Sequence, residues 1–566
     1  MIDQPAAPAA DIDARFRRVV AVLIAVVTTA IALVSYLQSD AGARDDAANR
    51  DTKRYAMEAL GRRISGDARV NYDYNSAYQT YSELDLLAAG AANVGDAQAA
   101  ARYAALRDRV PALSPLLAAP YFDPASGALN VAKYEADVYL VEITALTERF
   151  TAASAVKDAW DGKANTYIVH LTLLAVALFL YGLSTTVSGG ATRLVFTGAG
   201  TAIALVAAAW AGLTYLRPVS DLRDCLTAGG APAIDAYAQG VGLAYQHEYE
   251  QAIGRFDAAI ACAPDYAAAW VARAEARAAL GDYGTAIGDY EAAQQAGNRQ
   301  AYVAGDLAWL YYLTGRFDEA IAQNRRALAV SPDELWIQFD LGLSLLASGQ
   351  AGAAQAEYAR GMDLATQQVQ AAQAARQAPP SYLWWGLGDA AAGLDDLMTT
   401  LRTGEGEPAL NTLSSAPEVM PTAERLLNQL KSLAVALEFT GRPPTGELTA
   451  TISPFTLAQP VYDEAGELVD YAVADTFAYG IDEVSVLFDY SGARDGDEVI
   501  FKMYIDGEED PSWRFIETWD LGSDGSAEIP LSLAYSNTAV FAPGEYTVEM
   551  YLANHLAQRG TFSVEE

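Results

Sequence analysis

The chain has 566 residues, 52% of them hydrophobic, and a formal net charge of −35 at pH 7. That length exceeds one core and calls for about three or four domains, and so strong an acidic surface disfavours nucleic acid and anionic lipid headgroups as partners. The two cysteines, Cys225 and Cys262, exclude a disulfide-rich scaffold but leave room for a single bond.

Apolar and acidic residues are segregated along the chain. A short tail, 1–18, carries Arg15, Arg17 and Arg18 and precedes an uncharged stretch at 19–39. Further uncharged apolar stretches follow at 166–187 and 194–216, separated by Arg193. A helix needs ~20 apolar residues to cross ~30 Å of hydrocarbon, so three transmembrane helices are expected and the protein is read as membrane-integral. The first lacks a signal-peptidase site and reads as an uncleaved anchor. Arginines before the first span and between the second and third place the N-terminus in the cytoplasm of a multi-pass plasma-membrane protein. The large domains then lie outside, the alternative being that they face the cytoplasm. His170 falls within the second span and is expected to face a neighbouring helix.

Residues 40–163 read as a helical bundle or stalk. Val131, Tyr134, Val138, Val141, Leu146 and Phe150 make an apolar stripe at near-helical spacing, and Tyr72, Tyr74, Tyr78 and Tyr81 occupy another helix. Such a bundle bracketed by spans also has the layout of a sensor.

The next stretch repeats itself. Ala252, Ala286, Ala320 and Ala354 stand 34 residues apart. Four residues after each come Phe256, Tyr290, Asn324 and Tyr358, and three further on Ala259, Ala293, Ala327 and Gly361. Gly240, Ala274, Ala308 and Gly342 hold the small position of each first helix. Pro264 and Pro332 close the first and third repeats, Asn298 takes that place in the second, and Trp270 opens the second. This register over 233–365 resembles the tetratricopeptide repeat (TPR), in which small residues let two antiparallel helices approach and an aromatic fills the gap between repeats. His247 departs from the pattern where glycine is usual, Arg277 and Asn324 where an aromatic is. The resemblance implies an α-solenoid of four repeats with protein partners on its concave face. Positions that grip an acidic C-terminal carboxylate in some such families are mostly Ala, Gly and Leu here, so that specificity is not carried over. Residues 366–442 continue as a helical cap or linker.

From 446 the hydrophobic period changes from 3.6 to 2, and 446–566 holds 24 Asp/Glu against four Lys/Arg, or −20 of the −35. Val499, Phe501, Met503 and Ile505 alternate with Lys502 and Tyr504; Val548, Met550 and Leu552 alternate with Thr547, Glu549 and Tyr551. About seven or eight strands with one apolar face predict an immunoglobulin-like β-sandwich. The acidic turn Asp506, Glu508, Glu509 and Asp510 is read as solvated, with Ca²⁺ binding as its alternative. Trp513, Phe515 and Trp519 are expected on one strand face, as core or as a sugar platform.

No metal, phosphate-loop or nucleophile motif accompanies the three histidines. Neither catalysis nor a cofactor is expected. The fold class expected is multidomain α + β: three transmembrane helices, a helical bundle or stalk, a TPR solenoid and a C-terminal sandwich. The function expected is a membrane-anchored protein-binding scaffold, with a sensor subunit or cell-wall binding by the sandwich as alternatives. A disulfide between Cys225 and Cys262 is possible in an oxidising compartment, where it would tie the linker after the third span to the first repeat.

Overall fold

The computed structural model describes residues 9–124, 126–406, 409, 412–463, 467–510, 513–532 and 540–565; residues 1–8 of the expected tail fall outside these. The chain divides into two compact units, Met1–Asn298 and Arg299–Glu566.

In the first unit, α1 runs unbroken from Ala9 to Tyr72 and continues through a π-helical turn, Asp73–Tyr78, into α2 (Gln79–Asn93). Then come α3 (Ala97–Arg107), a two-residue antiparallel pair of β1 (Phe122–Asp123) and β2 (Ala128–Leu129), and α4 (Val131–Glu135). A second π-helical turn, Ala136–Leu140, leads into α5 (Val141–Thr186), followed by α6 (Gly190–Leu216). Three helical stretches here are long and apolar enough to cross a membrane.

Their packing has a strict period. Val20, Val27, Val34 and Ala41 of α1 are buried at seven-residue intervals, as are Tyr167, Leu174 and Tyr181 of α5, and Ala207 and Ala211 of α6 join the same cluster. A seven-residue repeat keeps one seam facing its neighbour only if the helices wrap left-handedly, as in coiled coils. Val19, Val22, Val26, Leu33, Phe179, Leu205 and Leu213 point outward and are exposed. At one end of this apolar belt Arg193 pairs with Asp13 and donates to the Val187 carbonyl (2.6 Å). Beyond the other end, Arg44 and Lys163 each lie 4.8 Å from the Trp160 ring.

Past the belt, α5 carries the first hairpin, α7 (Ala233–Tyr245) with α8 (Tyr249–Cys262). Ala145 and Ala152 pack with Ile234 and Ala238. A Cβ on Gly242 would stand 2.5 Å from a Val141 methyl, so the small residue sets how closely α7 approaches. Arg149 pairs with Asp235 at 2.6 Å, and the Tyr266 hydroxyl donates to Glu148 at 2.9 Å. The long helix α5 thus supports the first hairpin. A second hairpin, α9 (Ala267–Ala279) and α10 (Tyr283–Gln295), completes the unit.

The second unit opens with two more hairpins, α11 (Ala301–Leu313) with α12 (Phe317–Val330) and α13 (Leu335–Ala347) with α14 (Ala351–Ala374). The cap region adds a longer pair, α15 (Ser381–Thr403) and α16 (Val419–Thr440), in which α15 stacks on α13 and α16 on α14. The hairpin arrangement therefore outlasts its sequence signature.

Strands β3 (Thr451–Ile452), β4 (Thr456–Tyr462), β5 (Leu468–Val473), β6 (Thr476–Ala478), β7 (Glu483–Ser491), β8 (Glu498–Ile505), β9 (Glu508–Glu509), β10 (Phe515–Thr518), β11 (Asp524–Ser532), β12 (Gly544–Leu552) and β13 (His555–Glu565) follow. One sheet has the order β10-β8-β12-β13-β6 with β9 on β8; the other is β11-β7-β4-β5 with β3 on β7. Pairing is antiparallel except for β6 beside β13. Val484, Val486, Phe488, Phe501, Met503, Tyr546, Val548 and Met550 share one core.

Two expectations need correction. The alternate set on β8 and β12 does not face solvent: Lys502 is 5% exposed and Glu549 not at all, because α16 covers that face, Val435 packing on Ile500 and Tyr551. Lys502 donates to Glu438 (3.0 Å) and Glu509 (3.2 Å), Lys431 pairs with Glu549, and Arg559 reaches Asp395 on α15 at 3.0 Å. Nor do the aromatics share a face. Trp519 lies beyond the strand and is buried edge-on against Tyr490 with centroids 4.6 Å apart, whereas Phe515 is exposed. In the acidic turn, Asp506 accepts from the Glu545 backbone N–H at 2.8 Å. Burial pushes the Glu509 carboxyl up, but Arg514 and Lys502 outweigh it and hold the group low.

Candidate interaction surface

The repeat residues occupy equivalent places in their hairpins. Ala252, Ala286, Ala320 and Ala354 have no exposed surface; Phe256, Tyr290 and Tyr358 are buried beside them, and so is Ala327. A Cβ on Gly240 would stand 2.5 Å from the Phe256 ring, and one on Gly342 2.6 Å from the Tyr358 ring. In these two hairpins the aromatic of the second helix thus needs a small residue on the first; Ala274 and Ala308, both buried, fill that place in the other two. Asn324, in the aromatic position, is 1% exposed and its amide has no partner among the described residues. Pro264 and Pro332 follow the last turns of α8 and α12, and the Trp270 indole donates to the Pro264 carbonyl at 2.9 Å. Gly281, Gly315 and Gly349 turn their hairpins at φ of 76°, 74° and 86°. His247 takes the same left-handed conformation at φ 60°, its Nδ1 2.8 Å from the Tyr249 hydroxyl.

Cys225 and Cys262 are brought together with Cα atoms 6.0 Å apart, within the span of a disulfide. The full-length protein, alkylated in detergent without reductant, is expected to gain no adducts, and two after reduction. Two adducts in the untreated protein would show free thiols.

The electrostatics of the first helices differ between hairpins. On α9, Arg273 and Arg277 both reach Asp289, each at 2.7 Å, so their charge is taken up within the hairpin. In the second unit the first helices carry Asp306, Asp340 and Asp389 on α11, α13 and α15. Asp340 is only part-exposed, and burial together with Asp389 and Asp306 pushes its carboxyl up to about 7. Asp306 and Asp389 both lie within electrostatic reach of Asp340. Each of the three follows an aromatic by four residues: Tyr302, Trp336 and Trp385. Residues four apart share a helix face. Trp385 is 74% exposed and Tyr302 is also open to solvent. Trp336 lies across α11, its ring 2.3 Å from where a Cβ on Gly305 would be. The packing register of the repeat did not single these residues out. The signal was in the sequence all the same, as an aromatic-x-x-x-Asp phrase whose first two copies are 34 residues apart.

No family model and no curated protein matches the chain. Among solved structures, a TPR protein titled YrrB, with an unusual peptide-binding site, aligns at 16% identity over 36% of this chain and 91% of its own, with a TM-score of 0.24. MamA of Desulfovibrio magneticus RS-1 aligns at 18% identity over 34% and 96%, TM-score 0.23. The APC/C hetero-tetramer Cut9–Hcn1 aligns at 14% over 71% and 99%, TM-score 0.25. Superpositions this loose establish nothing about function, and the description of repeated helical hairpins resembling a TPR solenoid rests on the packing above.

Proposed function

We propose that this chain is a membrane-anchored protein-binding scaffold. It would be held by three spans and display TPR-type hairpins and an immunoglobulin-like sandwich outside the cytoplasm of the cell. The observation that carries the binding role is the 34-residue register of hairpins, with its small and aromatic residues interlocked in pairs. Repeats of this kind bury their cores between neighbours and leave a long face free for partners. The anchor is supported by the exposed apolar belt around α1, α5 and α6, which water would penalise and lipid would not, and by the cations and tryptophan at its end. The sandwich reading draws on the strand order, in which a first-edge strand, β6, runs parallel to the last, β13, and β7 pairs with β11 while β8 pairs with β12.

Topology and binding are tested together on intact cells. A cysteine in place of exposed Glu517 is expected to react with an impermeant thiol reagent before lysis; labelling only after lysis would turn the domains to the cytoplasm. Photo-crosslinkers at exposed positions of α11 and α13 in native membranes are expected to capture a discrete protein, and its absence would count against the scaffold.

A further inference from the structure

The helices α15 and α16 do not fill the face of the sheet that they cover. Between them and β8, β12 and β13 lies a cleft of about 640 Å³, within the ~300–1,000 Å³ typical of small-molecule sites. Its strand side is polar. Lys502 and Glu549, both buried, stand opposite each other in the β8–β12 register, and so do Tyr504 and Thr547; all four line the cleft. Burial, with Glu549 and Glu509 nearby, pushes the Tyr504 phenol up, so it stays a neutral hydroxyl. On the helix side α15 contributes the half-buried Trp384 and, one turn later, Gly388. A Cβ on Gly388 would meet nothing within 4 Å, whereas Gly386 and Gly393 of the same helix are held close to Leu335 and Leu343. The helix packs tightly on α13 and leaves room toward the sheet.

The charges around the cleft are matched. Three of the four Lys/Arg in 446–566, namely Lys502, Arg514 and Arg559, are engaged on this side of the sandwich. Lys502 and Arg514 share Glu438 and Glu509 at 2.5–3.2 Å, Arg559 holds Asp395 at 3.0 Å, and Lys431 pairs with Glu549. Four cations thus meet four carboxylates; a fifth lining carboxylate, Asp396, is exposed. An ionic ligand would have to pull one of these pairs apart. A neutral one need not, because a paired carboxylate still accepts hydrogen bonds and a paired ammonium or guanidinium still donates them. Vicinal hydroxyls do both, so they can bridge a carboxylate and a cation that stand side by side. The C–H face of a sugar ring in turn suits the apolar face of an indole.

We propose that this cleft binds a neutral saccharide, with hydroxyls bonded to Glu549, Lys502 and Thr547 and a ring face against Trp384. The site goes beyond the scaffold reading and does not depend on it: it stands or falls whether or not a protein partner crosslinks to α11 and α13.

The test presents the full-length protein, in a sugar-free detergent, to a printed panel of neutral gluco-, manno-, galacto- and N-acetylglucosamine oligomers, with sialylated and sulfated glycans as charged controls. Binding to at least one neutral series and not to the charged glycans is expected. Gly388→Leu puts a side chain into the cleft and replaces a poor helix former with a good one. It is expected to weaken binding about tenfold or more without lowering the melting temperature. Gly352→Leu makes the same change at an exposed position of α14 outside the cleft and is expected to leave binding unchanged. Thr547→Val keeps the side-chain volume, removes one hydroxyl and is expected to weaken binding several-fold. Should Gly388→Leu lower the melting temperature, Thr547→Val decides, and unchanged binding by it overturns the site. Binding of no neutral glycan, binding of charged glycans alone, or a neutral glycan held equally by wild type and a folded Gly388→Leu would each overturn it as well.

Discussion

Glu549→Ala is expected to destabilise the second unit by about 3–5 kcal/mol, because it strands a buried cation. Glu549 has no exposed surface, accepts from the Tyr551 hydroxyl at 2.6 Å and pairs with Lys431, whose side chain is 19% exposed. Without the carboxylate, the Lys431 ammonium between α16 and the sheet loses its ion-pair partner, and the Tyr551 hydroxyl loses its acceptor. The double variant Lys431→Met, Glu549→Leu removes both charges and keeps volume, so it is expected to recover most of the loss. Thermal unfolding of the full-length protein in detergent, followed by tryptophan fluorescence, measures both. A midpoint unchanged in Glu549→Ala would mean that α16 does not cover the sheet.

Phe256→Ala is the second large effect, at about 3–5 kcal/mol. The ring is fully buried and fills the space that Gly240 leaves open, so alanine leaves a cavity that the glycine cannot close. Adding Gly240→Ala in the Phe256→Ala background is expected to restore part of the loss, whereas Gly240→Ala alone should clash and destabilise. Circular dichroism melts of the three proteins separate these outcomes, and additive losses would refute the pairing of the two positions.

These two sites show what the sequence could and could not disclose. Gly240 and Phe256 were legible because the interaction is local and repeated, so one contact is written several times in the same register. The sheet core was legible too, since Val484, Val486 and Phe488 alternate as a half-buried strand requires. Lys502 and Glu549 were not legible, because a period-2 pattern assigns polar residues to water whenever nothing says that a helix covers them. The tyrosines at 504 and 551, large rings on a face read as solvated, were the one local hint. The fifth hairpin was hidden for a related reason. Its first helix packs on α13 with Gly386 and Gly393 against Leu335 and Leu343 and with Leu383, Leu387 and Leu394 buried on the same helix, small residues that do not fall in the 34-residue register.

The docking of α7 along α5 fixes a height. From Lys163, near the end of the apolar belt, to Val141 the helix climbs 22 residues, about 33 Å at 1.5 Å per residue. The packing residues Ala152 and Ala145 sit roughly 15–30 Å up that rise. A rod of continuous α-helix does not telescope, so with the proposed anchor in a bilayer the first hairpin keeps a set clearance from the lipid surface. A neighbour fixed in the same membrane can be reached by this hairpin only through a segment that emerges within that layer. The bundle would then act as a ruler, choosing partners by the distance of their exposed segments from the bilayer before any side chain is read.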